Sequence, residues 1–198
     1  MLSPDPVNAQ EQLAQTEGDG GTGLDWRPAY AGIARSGDFG FTTGPFQIRG
    51  REGIIGHYFT VWRRQPDGGW KWIFDAGTDV RDPGPIIATD ADIPLLAVAG
   101  GRSRAPESAI EAVAALENEG ALGANLAADA RVNSPFEPAG ISAAAGAALF
   151  AADGAVAYTT LRHDSSAAGD MVFSLGEVSG SHAGRVRTTR RGLKGSTR

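Results

Sequence analysis

His57 and Asp75 stand on two strand-like runs joined by a tight turn, in "GHYFTVWRRQPDGGWKWIFDAGTD" (56–79). A carboxylate on one strand can orient an imidazole on its neighbour, and an imidazole so held takes protons near neutral pH. That pair would serve lyase or isomerase chemistry. The competing role for His57 is structural, as a histidine hydrogen-bonded within a sheet. His57, His163 and His182 are each isolated, without HxH or HExxH spacing, so no metal site is expected. His163 and Asp164 read as loop. No GxSxG elbow supports a hydrolase. "GDGGTG" (18–23) fits GxGxxG through Gly18, Gly20 and Gly23. A dinucleotide site needs that loop between a strand and a helix. Here it follows a helix-like run and precedes "LDWRP", so no cofactor is expected.

A second kind of candidate is aromatic: Trp26, Tyr30, Phe41, Tyr58, Phe59, Trp62 and Trp72, with Trp70 close by. Such rings line pockets for small apolar or aromatic molecules, Tyr and Trp adding a polar handle. The same rings equally furnish the core and the dimer face of a small sheet. The two readings predict different neighbours for each ring.

Bulk properties narrow the classes. At 198 residues the chain can bury a sizeable core. A net charge of −5 with 21% charged residues argues against nucleic acid as a partner and against disorder. Without cysteine there are no disulfides and no thiolate metal sites. "MLSPDPVNAQEQ" lacks the basic and apolar regions of a signal peptide, and "IIATDADIPLLAVAG" is interrupted by aspartates and a proline. No membrane partner is expected, and the compartment reads as cytoplasmic, or periplasmic or secreted if a signal has been lost. Residues 181–198 hold six basic side chains and no acid, and read as a solvated tail.

The elements that would position these residues repeat. "SGDFGFTTG" (36–44) and "AGDMVFSLG" (168–176) align at an offset of 132, which also sets Trp26 opposite Tyr158. "SPDP" (3–6) and "SPFEP" (134–138) nearly share that offset, and each precedes a helix-like run. Residues 105–130 read as helix, with Pro106 in the first turn and Ile110, Val113 and Ala114 on one face. "LDWRPAYAGIARSGD" reads as a strand ending in a turn at Ser36-Gly37-Asp38, and "FGFTTGPFQI" pairs back. Alternation puts Ile55, His57, Phe59 and Val61 on one face, with Tyr58, Thr60 and Trp62 on the other. It also groups Trp70, Trp72 and Phe74. Apolar bulk on both faces requires both to be covered, one by helices and one by a partner sheet. The fold class is α+β, a curved antiparallel sheet wrapped around helices as a cone-like barrel, in a duplicated unit. The units are 1–80, lacking its N-terminal helices, and 105–180, lacking its closing strands. A linker at 81–104 joins them and the basic tail, 181–198, follows. A helix of the second unit is free to pack into the sheet of the first, making one composite cone.

A helix, "LAADARVNSP", a second helix, then "SGDFGFTTGPF" and "HYFTVWRRQPDGGWKWIFDAGTD" resemble the nuclear transport factor 2-like superfamily. The hairpin is similar to bacterial SnoaL-like domains of unknown function. The resemblance implies a cone-shaped α+β fold, an apolar cavity for a small molecule, and homodimers through the outer sheet face. Family members include isomerases, dehydratases, cyclases and scaffolds, so fold alone does not set activity. Ketosteroid isomerases of this superfamily use an Asp base with Tyr and protonated Asp donors. Here Ser134 and Ser3 fall where that base would stand, and Ala112 falls at the Tyr position. Isomerisation by that route is therefore not expected. The implied function is binding of a small apolar ligand or dimeric scaffolding.

Overall fold

Turn residues divide the chain into two antiparallel sheets. The computed structural model describes residues 8, 11, 23–48, 56–79, 103–133, 142–152, 156–180 and 185–190. Most of the helix-like run after Asn8, Gly18 to Gly21 and Thr22 of the GxGxxG loop, Ile55, most of the linker, His182, Ser3 and Ser134 lie outside them. The architecture is α+β, and the sheets do not close into a barrel.

The first sheet contains β1 (Leu24–Trp26), β2 (Tyr30–Ile33), β3 (Phe39–Ile48), β4 (Gly56–Arg64) and β5 (Trp70–Asp79). Its order is β1-β3-β4-β5, with β2 also paired to β3. Pro28 cannot donate a ladder hydrogen bond, so the expected single strand divides into β1 and β2 along the same partner. Gly44 lets that crossing lie close: a Cβ there would stand 2.1 Å from the Arg27 carbonyl oxygen. The Pro-Asp-Gly-Gly turn forms as its residues dictate. Gly68 has φ +85°, and the Gly69 N–H donates to Asp67 Oδ1 at 2.9 Å.

A bulge departs from simple alternation. Val61 pairs Phe74 but Trp62 pairs Trp72, leaving Ile73 as the extra residue. Phe74 therefore shares the face of Val61, while Trp70 and Trp72 stay with Trp62 on the other. The expected grouping of Phe74 with these tryptophans does not form.

The second sheet contains β6 (Val156–Ser165), β7 (Val172–Gly180) and β8 (Arg185–Arg190), in that order. Two expectations are corrected here. His163 and Asp164 belong to β6, because the turn comes only after Ser165. The basic tail contributes β8, whose backbone pairs with β7 from Phe173↔Arg190 to Val178↔Arg185. An edge strand can carry charge, because its backbone rather than an apolar face holds it. Within its sheet β8 occupies the place that β4 has in the first.

The sheets pack face to face. Tyr30, Ala34, Phe39, Phe41 and Val61 meet Met171, Phe173 and Leu175, with Phe59, Ile73 and Phe74 at the margin. The Phe74 and Phe173 rings lie 5.1 Å apart. Each fully buried side chain of this kind contributes about 1.5–3 kcal/mol. Arg63 adds a polar link, donating to Asp164 Oδ1 and to the Ser165 carbonyl oxygen while covering the Phe39 ring.

Helix α1 (Pro106–Asn118) covers the other face of the second sheet, burying Ala109 and Val113 against Val172. It packs on β6 and β7. It ends twelve residues before position 130, at a turn where Gly120 takes φ +63°; a 3-10 turn follows at Gly123–Asn125. The segment beyond reaches the first sheet: the Tyr30 hydroxyl donates to Asp129 Oδ2, and Asn133 Nδ2 to Thr43 Oγ1. Helix α2 (Ala143–Ala152) begins with Ser142 Oγ accepting from the Ala145 N–H. No described helix is long and apolar enough to cross a membrane.

The offset of 132 recurs in the pairing. Ala31↔Thr42 matches His163↔Ser174, Ile33↔Gly40 matches Ser165↔Val172, and Trp26↔Phe46 matches Tyr158↔Val178. The break at Pro28 matches a register shift between Thr160 and Arg162. The turns match as well: Gly37 and Gly169 have φ +67° and +63°. The two turns also bind each other reciprocally. The Arg35 N–H donates to Asp170 Oδ2 at 2.8 Å, and the Ala167 N–H donates to Asp38 Oδ2 at 3.1 Å.

Candidate functional site

The register of β4 and β5 separates the first candidate pair. His57 stands opposite Thr78 and Asp75 opposite Thr60, so their side chains leave opposite faces of the sheet. Asp75 cannot orient His57; it accepts a hydrogen bond from Thr60 Oγ1 instead. Burial lowers the pKa of His57. Burial raises that of Asp75, with the Thr60 hydrogen bond opposing. The pairing expected from adjacent strands failed because two residues of different parity were placed on one face.

The aromatic candidates also divide. Tyr30, Phe41 and Phe59 belong to the inter-sheet core, with Phe41 and Phe59 stacked at 5.7 Å and Tyr30 tilted against Phe41 at 5.9 Å. Among the described residues, the gap beside Phe41 and Phe59 leaves about 10 Å³ for the centre of a water molecule, about what a single water needs.

Trp26, Tyr58, Trp62 and Trp72 share the far face of the first sheet, together with Thr42, Thr60 and Asp75. Trp26 meets Tyr58 edge-on at 5.1 Å, and Trp62 Nε1 donates to Thr42 Oγ1 at 3.0 Å. Trp26 is 54% exposed and Trp72 42%, whereas Tyr58 is only 6% exposed. The Tyr58 hydroxyl is buried without a well-formed hydrogen bond; the Thr42 hydroxyl near it already accepts from Trp62. The pKa of Tyr58 is pushed up to about 12, first by burial, with the Thr42 hydroxyl opposing and the Asp75 charge adding. A neutral phenol in this place is a donor awaiting an acceptor.

A third group was not anticipated. Glu117, in the last turn of α1, points onto the face of the second sheet that α1 covers. Its Oε2 accepts from Thr160 Oγ1 at 3.2 Å and contacts His163 Nε2 at 3.1 Å. Tyr158 and Ser174 join their hydroxyls at 3.1 Å beside it. Burial pushes Tyr158 up to about 12, with the Ser174 hydrogen bond opposing and the Glu117 charge adding. Glu117 Oε1 is buried without a partner. One sequence signal pointed there: Ala109, Val113 and residue 117 form an i, i+4, i+8 stripe, so a carboxylate continues an apolar face. Reading His163 as loop hid the other half of the contact.

Among the described residues, no group of three or more His, Cys, Asp or Glu is placed to hold a metal ion. No protein-family model, curated protein or solved structure matches this chain.

Proposed function

We propose that the chain is a two-unit protein of the nuclear transport factor 2-like type that binds a small apolar or aromatic molecule on the far face of its first sheet. The observation carrying this reading is the buried Tyr58 hydroxyl, without a well-formed hydrogen bond, edge-on to Trp26 and on the same sheet face as Trp62 and Trp72. Rings supply apolar contact, and the phenol supplies one hydrogen bond to orient the guest. The matching register and turns at an offset of 132 support duplication of one unit.

An aromatic ketone such as 2-acetylnaphthalene meets both requirements. Titrating it against tryptophan fluorescence should give saturable quenching, weakened about tenfold in Tyr58→Phe, the value of one good hydrogen bond. Absence of saturation, or unchanged affinity in the variant, overturns the reading.

A dimeric scaffold is the second function considered. The packing of the two sheets covers their inner faces, so a homodimer through an outer sheet face would use the far face of the first sheet, where Trp26 and Trp72 are exposed. Lyase or isomerase chemistry by His57 and Asp75 has no support in their opposed orientations.

A further inference from the structure

We propose that the Glu117 cluster is a second ligand site, under the C-terminal turn of α1, which takes the ammonium group of a small amine. Three unfavourable features coincide on this carboxylate. Its side chain is 0% exposed. It lies in the last turn of a helix, where the backbone carbonyls present partial negative charge, and no basic residue occupies that turn. One of its two oxygens has no hydrogen bond. A buried, half-satisfied carboxylate in a negative field destabilises the fold, and such a group calls for an explanation beyond packing.

The surroundings specify what would complete it. From β6 the cluster is faced by Tyr158, Thr160 and His163, and from β7 by Ser174. Tyr158 and Ser174 satisfy each other, and Thr160 and His163 both use Oε2. Only the imidazole among these can carry positive charge. A donor that also brings charge to Oε1 would balance the site, as a neutral donor would not. The side chain of His163 is 16% exposed and that of Glu117 not at all, so an approach to the carboxylate runs past the imidazole. The site stands in the second sheet where the aromatic face stands in the first: Ser174 matches Thr42, and Tyr158 matches Trp26. Its polarity differs, which sets a charged guest against an apolar one.

Methylammonium chloride is the probe, with sodium chloride at equal ionic strength and methanol as controls. Following the imidazole nitrogens of His163 by NMR in the whole chain, methylammonium should produce a saturable shift that neither control produces. A linear response, or the same saturation with methanol, overturns the proposal, the latter because it makes Oε1 a seat for any neutral donor such as water. Glu117→Gln, which preserves size, should weaken binding at least about tenfold; unchanged affinity rules out the carboxylate. If that variant does not fold, His163→Gln replaces it, followed at the backbone amide of Thr160: with no imidazole left on Oε2, methylammonium should bind several-fold more tightly, and unchanged or weaker binding overturns the assignment.

Discussion

Tyr58 separates folding from function within one side chain. A buried hydroxyl without a well-formed hydrogen bond destabilises the fold, so Tyr58→Phe should raise stability by about 1 kcal/mol in urea unfolding even as it weakens ketone binding. A loss of both would make Tyr58 a structural residue only. The two titrating groups of the hairpin should act in opposite directions. His57 has a folded pKa below its ordinary 6.5, so the unfolded chain takes up the proton first. Its contribution is complete above about pH 6.5 and declines as pH falls toward the folded value; His57→Gln should flatten that acid-side decline in melting temperature. Asp75 has a folded pKa above its ordinary 3.8. The stability it confers is present below that pH and is lost as pH rises through the folded value. Asp75→Asn should thus be the more stable chain at neutral pH, with the advantage gone below about pH 3.8. Identical melting curves at both ends would show that the Asp75 carboxyl is solvated in the fold.

The elements were legible where local chemistry decides them and hidden where packing does. Asp67-Gly68-Gly69 and Ser36-Gly37-Asp38 announce their turns because few other residues adopt those dihedrals. Pro106 announces the start of α1 for the same reason. The bulge at Ile73 carries no such mark; it arises where a twisting ribbon meets a second sheet, and it alone moves Phe74 into the core. The carboxylate at position 117 was visible as an oddity in an apolar stripe, but its partners on β6 lie more than forty residues on. The two turns give a direct test of element equivalence. At Gly37 an added Cβ meets nothing within 4 Å, so Gly37→Ala should cost only the left-handed backbone penalty, about 1 kcal/mol. At Gly169 the same atom would stand 2.1 Å from the Arg104 carbonyl oxygen. Gly169→Ala should therefore lower the denaturation midpoint distinctly more, and equal midpoints would mean that residue 104 does not pack there.

Across the whole molecule, the sheets depend on one shared interior. Phe74 and Phe173 touch across it, so Phe173→Ala should cost about 3–5 kcal/mol and a double-mutant cycle with Phe74→Ala should return about 0.5–1.5 kcal/mol of coupling. Both halves should melt in one transition when followed by tryptophan fluorescence, which reports the first sheet, and by far-ultraviolet dichroism, which reports both. Separate transitions would mean that the halves hold themselves together unaided. The reciprocal aspartates have a further effect during synthesis. Asp38 waits for an amide 129 residues downstream, and Arg35 waits for a carboxylate 135 residues downstream. At ordinary translation speeds that interval lasts about ten seconds. Throughout it the first sheet emerges from the ribosome with its greasy side bare, making the newborn half-chain a natural client for a chaperone.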